Sequence, residues 1–184
     1  MLLSVRKALF KFRRRTNVSK VFCGSSQSQC RHGGQRTLPL KFHKARHTSG
    51  RTTRRVERAV QNLYEYLGEA KIRELVDHFY DEMERHPDAK AILAMHPSDL
   101  EETRDKFFWF LVGWSGGPPL YTSRFGHPRL RMRHMPFSVD SAARDAWMTC
   151  MKFALEKVID EEDVREALTQ TFLRIADHMR NTSD

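Results

Sequence analysis

The sequence predicts an all-α fold, and two observations support this prediction. After about Arg54, apolar residues recur every three to four positions, as they do on one face of a helix. No run of strand length alternates apolar and polar residues. A chain of 184 residues is long enough for one domain with additional chain, in which we expect about six helices of uneven length.

Three helical segments are predicted in the first half of this domain. A short helix ends at Gly68, and a longer amphipathic helix follows from Ile72 until the pair His86-Pro87 interrupts it. A short helical stretch around Ile92 comes next. Pro and Gly therefore mark the predicted ends of the elements, and apolar spacing marks their buried faces.

An aromatic helix and two further helices are predicted in the second half. Ser98 is a candidate N-cap of the aromatic helix, with Glu101 in the capping-box position. Residues 116–129 contain several Gly and Pro and are expected to form a loop. Ser138 or Asp140 opens the next helix, and a last amphipathic helix follows it.

The charge distribution divides the chain into two parts. Residues 1–56 contain fifteen Lys and Arg and no Asp or Glu, whereas residues 57–184 contain all 23 acidic residues and have a net charge of −6. The overall net charge of +9 therefore describes neither part. We expect a basic leader at residues 1–52 and a folded domain at residues 53–184.

The leader has the composition of an organelle-import signal. Four apolar residues among the first twelve share one helical face: Leu2, Val5, Leu9 and Phe12. An amphipathic N-terminus that is rich in Arg and Ser and free of acidic residues is typical of a mitochondrial transit peptide, with a plastid signal as the alternative. A third interpretation stays open, in which a basic tail is retained in the cytoplasm and contacts RNA or an anionic membrane.

Composition also argues against other classes of protein. Three Cys cannot build a disulfide scaffold, and no window approaches the roughly 18 consecutive apolar residues of a membrane span. The leader carries charge but no regularly spaced aromatic residues on which bases would stack. We therefore expect neither a membrane span nor a nucleic-acid partner.

The middle of the domain contains an unusual combination of residues. Tyr80, His96, His134 and Trp147 lie beside apolar stripes, and residues 116–134 interrupt the bundle with Gly, Pro and Arg. An aromatic-lined gap, with His on one wall and Tyr or Trp donors on another, suits a flat, apolar ligand that carries a metal. A plain helical core without a ligand is the alternative, and composition alone favours it.

Three segments resemble group II truncated haemoglobins. They are residues 116–121 (GGPPLY), 126–137 (GHPRLRMRHMPF) and 144–147 (RDAW), and the similarity extends from about residue 58 to residue 181. The resemblance implies a truncated globin fold, a 2-on-2 helical sandwich around haem b. It also implies a eukaryotic, organelle-targeted version of this domain, because the long basic leader is foreign to the bacterial type.

The resemblance implies a role for each candidate residue. His134 corresponds to the proximal ligand of the haem iron, since a neutral imidazole can bind iron while its other N–H is held by an acceptor. Tyr80 and Trp147 correspond to distal donors of hydrogen bonds to bound O2, and His96 to a third distal polar residue. Thr103 stands where many globins carry a distal His, which opens the entrance to the pocket.

Other residues are expected around the porphyrin. Ordinary core packing is equally compatible with the apolar ones: Phe107, Phe110, Leu111, Leu130, Phe137, Val139 and Met151. The candidates for the haem propionates are Lys106, Tyr121 and Arg133, because cations and a phenol pair well with carboxylates. Arg129 and Arg131 compete for this last role.

The implied function is reversible O2 binding at a histidine-ligated iron. CO, nitric oxide and peroxide are the other candidate ligands, and detoxification of nitric oxide or peroxide would need an external reductant. Whether the protein is an enzyme, and whether it is a monomer or a homodimer, stays open at this stage. The alternative is a non-haem helical adaptor with a basic tail that binds nucleic acid or a membrane.

Overall fold

The structure is a computed structural model that describes residues 49–184, with side chains from residue 54 onward. This part of the chain contains eight α-helices, one 3-10 turn and no strand, which confirms the all-α prediction. The predicted import helix and its apolar face lie outside the described residues. None of the helices between residues 49 and 184 is both long and apolar enough to cross a membrane.

The helices follow one another with short connections. Their order is α1 Ser49–Gln61, α2 Leu63–Arg85, the 3-10 turn Pro87–Ala89, α3 Lys90–Leu93, α4 Glu101–Ser115, α5 Leu120–Phe125, α6 Leu130–His134, α7 Ser141–Val158 and α8 Glu162–Met179. The prediction of about six helices was too low, because α5 and α6, with six and five residues, are too short to show a helical period in the sequence.

The loop predicted at residues 116–129 is wrong in part. Helix α5 lies inside it, with Pro119 at its N-cap and Gly126 at its C-cap. Gly126 has a φ of 71°, a backbone conformation that glycine adopts without a steric penalty. The Pro and Gly that suggested a loop are therefore the two ends of a helix of six residues.

Gly68 interrupts α2, as the sequence predicts. Its φ of 73° and ψ of 171° are not helical, and the chain resumes the helix directly afterwards. A residue with a Cβ would be strained in this conformation. Gly68 therefore sets the direction in which the longer segment of α2, which carries Tyr80, enters the core.

The N-caps correct one prediction and confirm another. Ser98 does not cap α4: the helix begins at Glu101, whose backbone N–H donates to Asp99 Oδ1 at 3.0 Å. Asp140 caps α7, since its Oδ1 accepts the backbone N–H of Ala143 at 2.8 Å. Of the two predicted candidates, Ser138 and Asp140, it is therefore Asp140 that caps α7.

Four long helices, α2, α4, α7 and α8, pack together to form the core. Helix α2 packs against α4 and α7, and α7 packs against α8, so that α2 and α7 form the centre. The largest fully buried side chains come mainly from these two helices and α8: Ile72, Leu75, Phe79, Met83, Met151, Leu155 and Leu168. Phe79 lies where α2, α4 and α7 meet, which places its neighbour Tyr80 at the same junction.

Candidate functional site

His134 ends α6, and its ring is oriented by the same turn of helix. Its Nδ1 lies 2.8 Å from the carbonyl oxygen of Leu130, and a carbonyl can only accept. Nδ1 therefore carries the proton and donates, which leaves the lone pair on Nε2. A histidine that binds a metal through Nε2 is held in this way by a partner at its other nitrogen.

Asn181, which follows α8, fixes the backbone on the C-terminal side of His134. Its Nδ2 donates to the carbonyls of His134 at 3.0 Å and Phe137 at 2.9 Å, and its Oδ1 accepts the N–H of Val139 at 3.0 Å. Three hydrogen bonds from one amide thus connect α6 to the last helix. Sequence reasoning missed Asn181, because its partners are more than 40 residues away and no local pattern marks it.

The neighbouring arginines of α6 are held by backbone carbonyls. Arg131 donates to the carbonyls of His178 and Arg180, and Arg133 Nε donates to Pro128 O at 3.1 Å. Arg131, a competitor for the propionate role, therefore ties α6 to the end of α8.

Three predicted distal residues lie in one aromatic cluster. The ring of Tyr80 meets His96 at 5.9 Å and Phe107 at 6.1 Å between centroids, both edge to face. Trp147 lies 5.2 Å from Phe79 and 6.4 Å from Phe107. The structure thus brings together residues from α2, the segment before α4, and α7.

Tyr80 is buried and keeps its proton. Only 4% of the residue is exposed. Burial raises the pKa of the phenol well above its usual value, although the guanidinium of Arg104 opposes part of this rise. Neither the Tyr80 hydroxyl nor the Trp147 N–H has a hydrogen-bond partner among residues 54–184. Both groups can therefore donate to a ligand.

His96 has a fixed orientation as well. Its Nδ1 lies 2.8 Å from the carbonyl oxygen of Ile92, so that this nitrogen is the donor and Nε2 is free to accept. The ring is half-buried and stands edge to face against Tyr80. This placement puts the imidazole beside the phenol.

The predicted apolar lining residues lie on one face of α4 and, in a separate stretch, on and after α6. Thr103, Phe107 and Phe110 are half-buried at helical spacing, and Leu111 beside them is buried. Leu130 and Val139 are half-buried, and Phe137 is 41% exposed. Met151 has no exposed surface and belongs to the hydrophobic core.

Two of the three propionate candidates meet at Phe125. Lys106 Nζ lies 5.7 Å from the ring of Phe125 and pairs with Glu102 at 2.7 Å, whereas Tyr121 packs against the same ring at 5.1 Å. Arg133 is held by its own loop, and no contact joins it to these two. Sequence reasoning missed Phe125, which lies between the motif segments 116–121 and 126–137.

Comparisons with known proteins agree with this arrangement. Residues 62–181 match the family model of bacterial-like globins. A group 2 truncated hemoglobin from Bacillus subtilis is 45% identical over 121 residues, which cover 66% of this chain and 89% of that protein.

Solved structures of similar proteins have the same fold. The cold-adapted truncated hemoglobin of the Antarctic marine bacterium Pseudoalteromonas haloplanktis has a TM-score of 0.63 and 46% identity, covering 65% of this chain and 97% of that one. The group II 2-on-2 hemoglobin of Agrobacterium tumefaciens has a TM-score of 0.63 and 38% identity, covering 67% and 95%. The chain therefore belongs to the bacterial-like globin family, and its fold is that of the truncated 2-on-2 hemoglobins.

Proposed function

We propose that this chain is a haem protein that binds O2 reversibly, with His134 as the iron ligand. The orientation of His134 carries the proposal: Nδ1 donates to Leu130, and Nε2 is left as the ligand atom. Membership of a globin family supports haem as the cofactor, and haem b is the form we propose. Bound haem would supply a ferrous iron to which a diatomic gas coordinates.

The candidate pocket residues have the chemistry that a haem needs. Phe107 and Phe110 on α4 and Leu130 on α6 are half-buried and apolar, as the surroundings of a porphyrin must be. A cation and a phenol, Lys106 and Tyr121, lie together at one edge, where carboxylates would find charge-assisted hydrogen bonds. Apolar walls with a polar edge match the two kinds of surface that haem presents.

The distal residues would slow the release of O2. Tyr80 and Trp147 each offer a donor that lacks a partner among the described residues, in surroundings made of aromatic rings. A hydrogen bond to an acceptor with partial charge contributes roughly 1–3 kcal/mol in such surroundings. Slow release favours chemistry on the bound gas over its bulk delivery.

Detoxification of nitric oxide is the reaction we propose beyond O2 binding. Nitric oxide, O2 and one electron together give nitrate, so that an external reductant must supply one electron in each turnover. The small residue Thr103 at the start of α4 would leave an entrance for the second gas. Peroxide is the alternative substrate, and it would need the same kind of reductant. The non-haem adaptor gains no support from the family match or from the solved structures.

We also propose that residues 1–52 direct the protein to the mitochondrion. The support is compositional: basic residues, no acidic ones and an apolar helical face within the first twelve residues. In the alternatives, the same residues direct the protein to the plastid, or they stay attached as a basic tail in the cytoplasm.

An absorption spectrum of the purified full chain tests the proposed function. We expect a Soret band with one haem per chain, a shift on reduction, and a further shift when CO is added to the ferrous form. A colourless protein that stays colourless after incubation with haem would contradict the proposal and favour the adaptor. Nitrate formation from nitric oxide and O2 in the presence of a reductant tests the reaction separately.

A further inference from the structure

Arg104, the residue after Thr103 on α4, is bound to α2 at three places. Its Nη1 donates to the carbonyl oxygen of Asp77 at 3.0 Å, and its Nη2 donates to Asp81 Oδ1 at 2.9 Å and Glu84 Oε2 at 2.8 Å. The guanidinium is the more buried partner, with 19% of the side chain exposed. Bonds between a guanidinium and carboxylates are charge-assisted and stronger than neutral ones.

These three acceptors surround the turn of α2 that carries Tyr80. Asp77, Asp81 and Glu84 are four and three residues apart, which places them on one face of the helix. Tyr80 lies within this turn, and its ring centroid is 5.4 Å from Arg104 Cζ. A guanidinium at this distance is attracted by the face of the ring. Arg104 therefore contacts both the backbone that carries Tyr80 and the ring itself.

The other neighbours of Tyr80 are rings, which pack against it without fixing its polar end. Phe79, His96 and Phe107 stand edge to face to it at 5.0, 5.9 and 6.1 Å between centroids, within the normal range of such pairs. Since the Tyr80 hydroxyl has no partner among the described residues, its direction depends on how firmly the ring and its turn are held. Arg104 is the group that holds both.

We propose that Arg104 is a positioning residue, which holds Tyr80 so that its O–H points at the gas ligand. This inference rests on the proposed function. In this role Arg104 touches neither the ligand nor the haem and acts only through Tyr80.

A neighbouring ion pair provides a matched control. Arg73 on α2 pairs with Asp105 on α4 at 2.8 Å, so that it joins the same two helices as Arg104 does. Its guanidinium lies over Phe108, 3.9 Å from the ring centroid, and not over Tyr80. Asp105→Asn therefore weakens the contact between the helices without a change at Tyr80.

Stopped-flow dissociation of O2 and CO from the full chain tests the proposal. We expect Arg104→Gln to release O2 roughly three to ten times faster, which corresponds to about 0.7–1.4 kcal/mol of coupling. CO release should change by less than about twofold, because CO carries less charge for Tyr80 to stabilise. Arg104→Lys keeps the charge and should have a smaller effect, and Asp105→Asn should leave both rates within about twofold.

A double-mutant cycle separates positioning from a structural role. In a Tyr80→Phe background there is no hydroxyl to direct, so Arg104→Gln should not accelerate O2 release any further. An effect of the same size in both backgrounds, or an equal acceleration by Asp105→Asn, would overturn the proposal. Arg104→Lys allows the same comparison if Arg104→Gln does not fold.

A second readout does not depend on O2 binding. The chain has four Tyr, so incorporation of 3-fluorotyrosine should give four 19F resonances, of which Tyr80→Phe removes one and thereby assigns it. We expect this resonance to be broadened or split in Arg104→Gln and unchanged in Asp105→Asn. A sharp, unshifted Tyr80 resonance in Arg104→Gln would overturn the inference, whereas a wild-type chain that binds no haem would contradict only the proposed function.

Discussion

Tyr80 and Trp147 pack their rings against the same side chain, Phe79, at 5.0 and 5.2 Å between centroids. Tyr80 comes from α2 and Trp147 from α7, so that one buried ring sets the spacing of two donors from different helices. Groups that share a neighbour in this way influence each other. Their contributions to ligand binding are therefore expected to be coupled.

The first prediction concerns this distal pair. Tyr80→Phe removes a hydroxyl and keeps the ring, so O2 should leave about five to thirty times faster, the result of losing roughly 1–2 kcal/mol. Trp147→Phe should also accelerate release, but it combines a lost donor with lost ring volume. In the double variant, the acceleration of O2 release should be smaller than the two single effects combined. Stopped-flow O2 and CO dissociation measures these rates, and an equal acceleration for both gases would indicate a steric effect.

The second prediction concerns the link between α6 and the last helix. Asn181→Ala removes the three hydrogen bonds to His134, Phe137 and Val139, which should lower the free energy of unfolding by about 1–3 kcal/mol. Ser183→Ala, at an exposed residue two positions further on, is the control and should change stability by about 0.5 kcal/mol or less. Denaturant unfolding monitored by circular dichroism gives both values. Equal stability of Asn181→Ala and the wild type would show that α6 does not need this anchor.

The third prediction concerns the acid limb of the pH dependence of stability. The hydroxyl of Tyr66 donates to Glu161, which also pairs with Arg55 at 2.6 Å. The hydrogen bond from Tyr66 is the main reason that the pKa of Glu161 lies below its ordinary value of 4.5. A carboxyl with a lowered pKa in the folded state stabilises the fold above its ordinary pKa, and this contribution is lost as the pH falls. Glu161→Gln should therefore flatten the decrease in stability below about pH 4.5.

The alkaline limb follows from the same pair. Burial, together with the hydrogen bond to Glu161, raises the pKa of Tyr66 from 10.0 to about 12. This contribution is complete below pH 10 and is lost as the pH rises towards 12, so Tyr66→Phe should flatten that limb. Glu162→Gln, at the exposed residue next to Glu161, is the control. The free energy of unfolding is measured from pH 3 to pH 12. If Glu161→Gln and Tyr66→Phe both followed the wild-type profile, the role of this pair would be contradicted.

The fourth prediction concerns the basic leader. A truncated chain that starts at Thr52 should fold and retain haem as the full chain does, since it keeps Arg55 and its ion pair with Glu161. In cells, the mature protein should begin between residues 24 and 55, which mass spectrometry of the isolated protein would determine. Failure of the truncated chain to fold would make the leader part of the structure. An N-terminus at Met1 in cells would favour a retained tail.

Local signals explain which parts of the fold could be predicted. Gly68 and Asp140 act on their own neighbours, through a backbone conformation and a cap. The break at Gly68 was predicted, and Asp140 was one of the two predicted caps of α7. Ser98 was not the cap of α4, because Asp99 reaches the same N–H from one residue closer. Helix α5, at residues 120–125, was missed because six residues between Pro and Gly do not show a period.

Long-range contacts explain what the sequence could not show at the site. Gly117 belongs to the recognised motif, but only the structure shows that a Cβ there would lie 2.5 Å from the ring of Tyr64. Arg104 and Asn181 are surrounded by other polar residues in the sequence, and their partners come from other helices. The candidates His134 and Trp147 were found through the recognised motif segments, and Tyr80 through the wider similarity that extends over residues 58–181.

Haem retention by His134→Ala tests directly whether His134 is the ligand of the iron. His127→Ala is the matched control, because His127 lies in the same segment and its Nδ1 only accepts the N–H of Arg129, at 3.1 Å. We expect His134→Ala to lose haem, with partial recovery of binding and of the axial-histidine spectrum when imidazole is added, and His127→Ala to keep both. An unchanged axial-histidine spectrum in His134→Ala would contradict the assignment of His134 as the iron ligand.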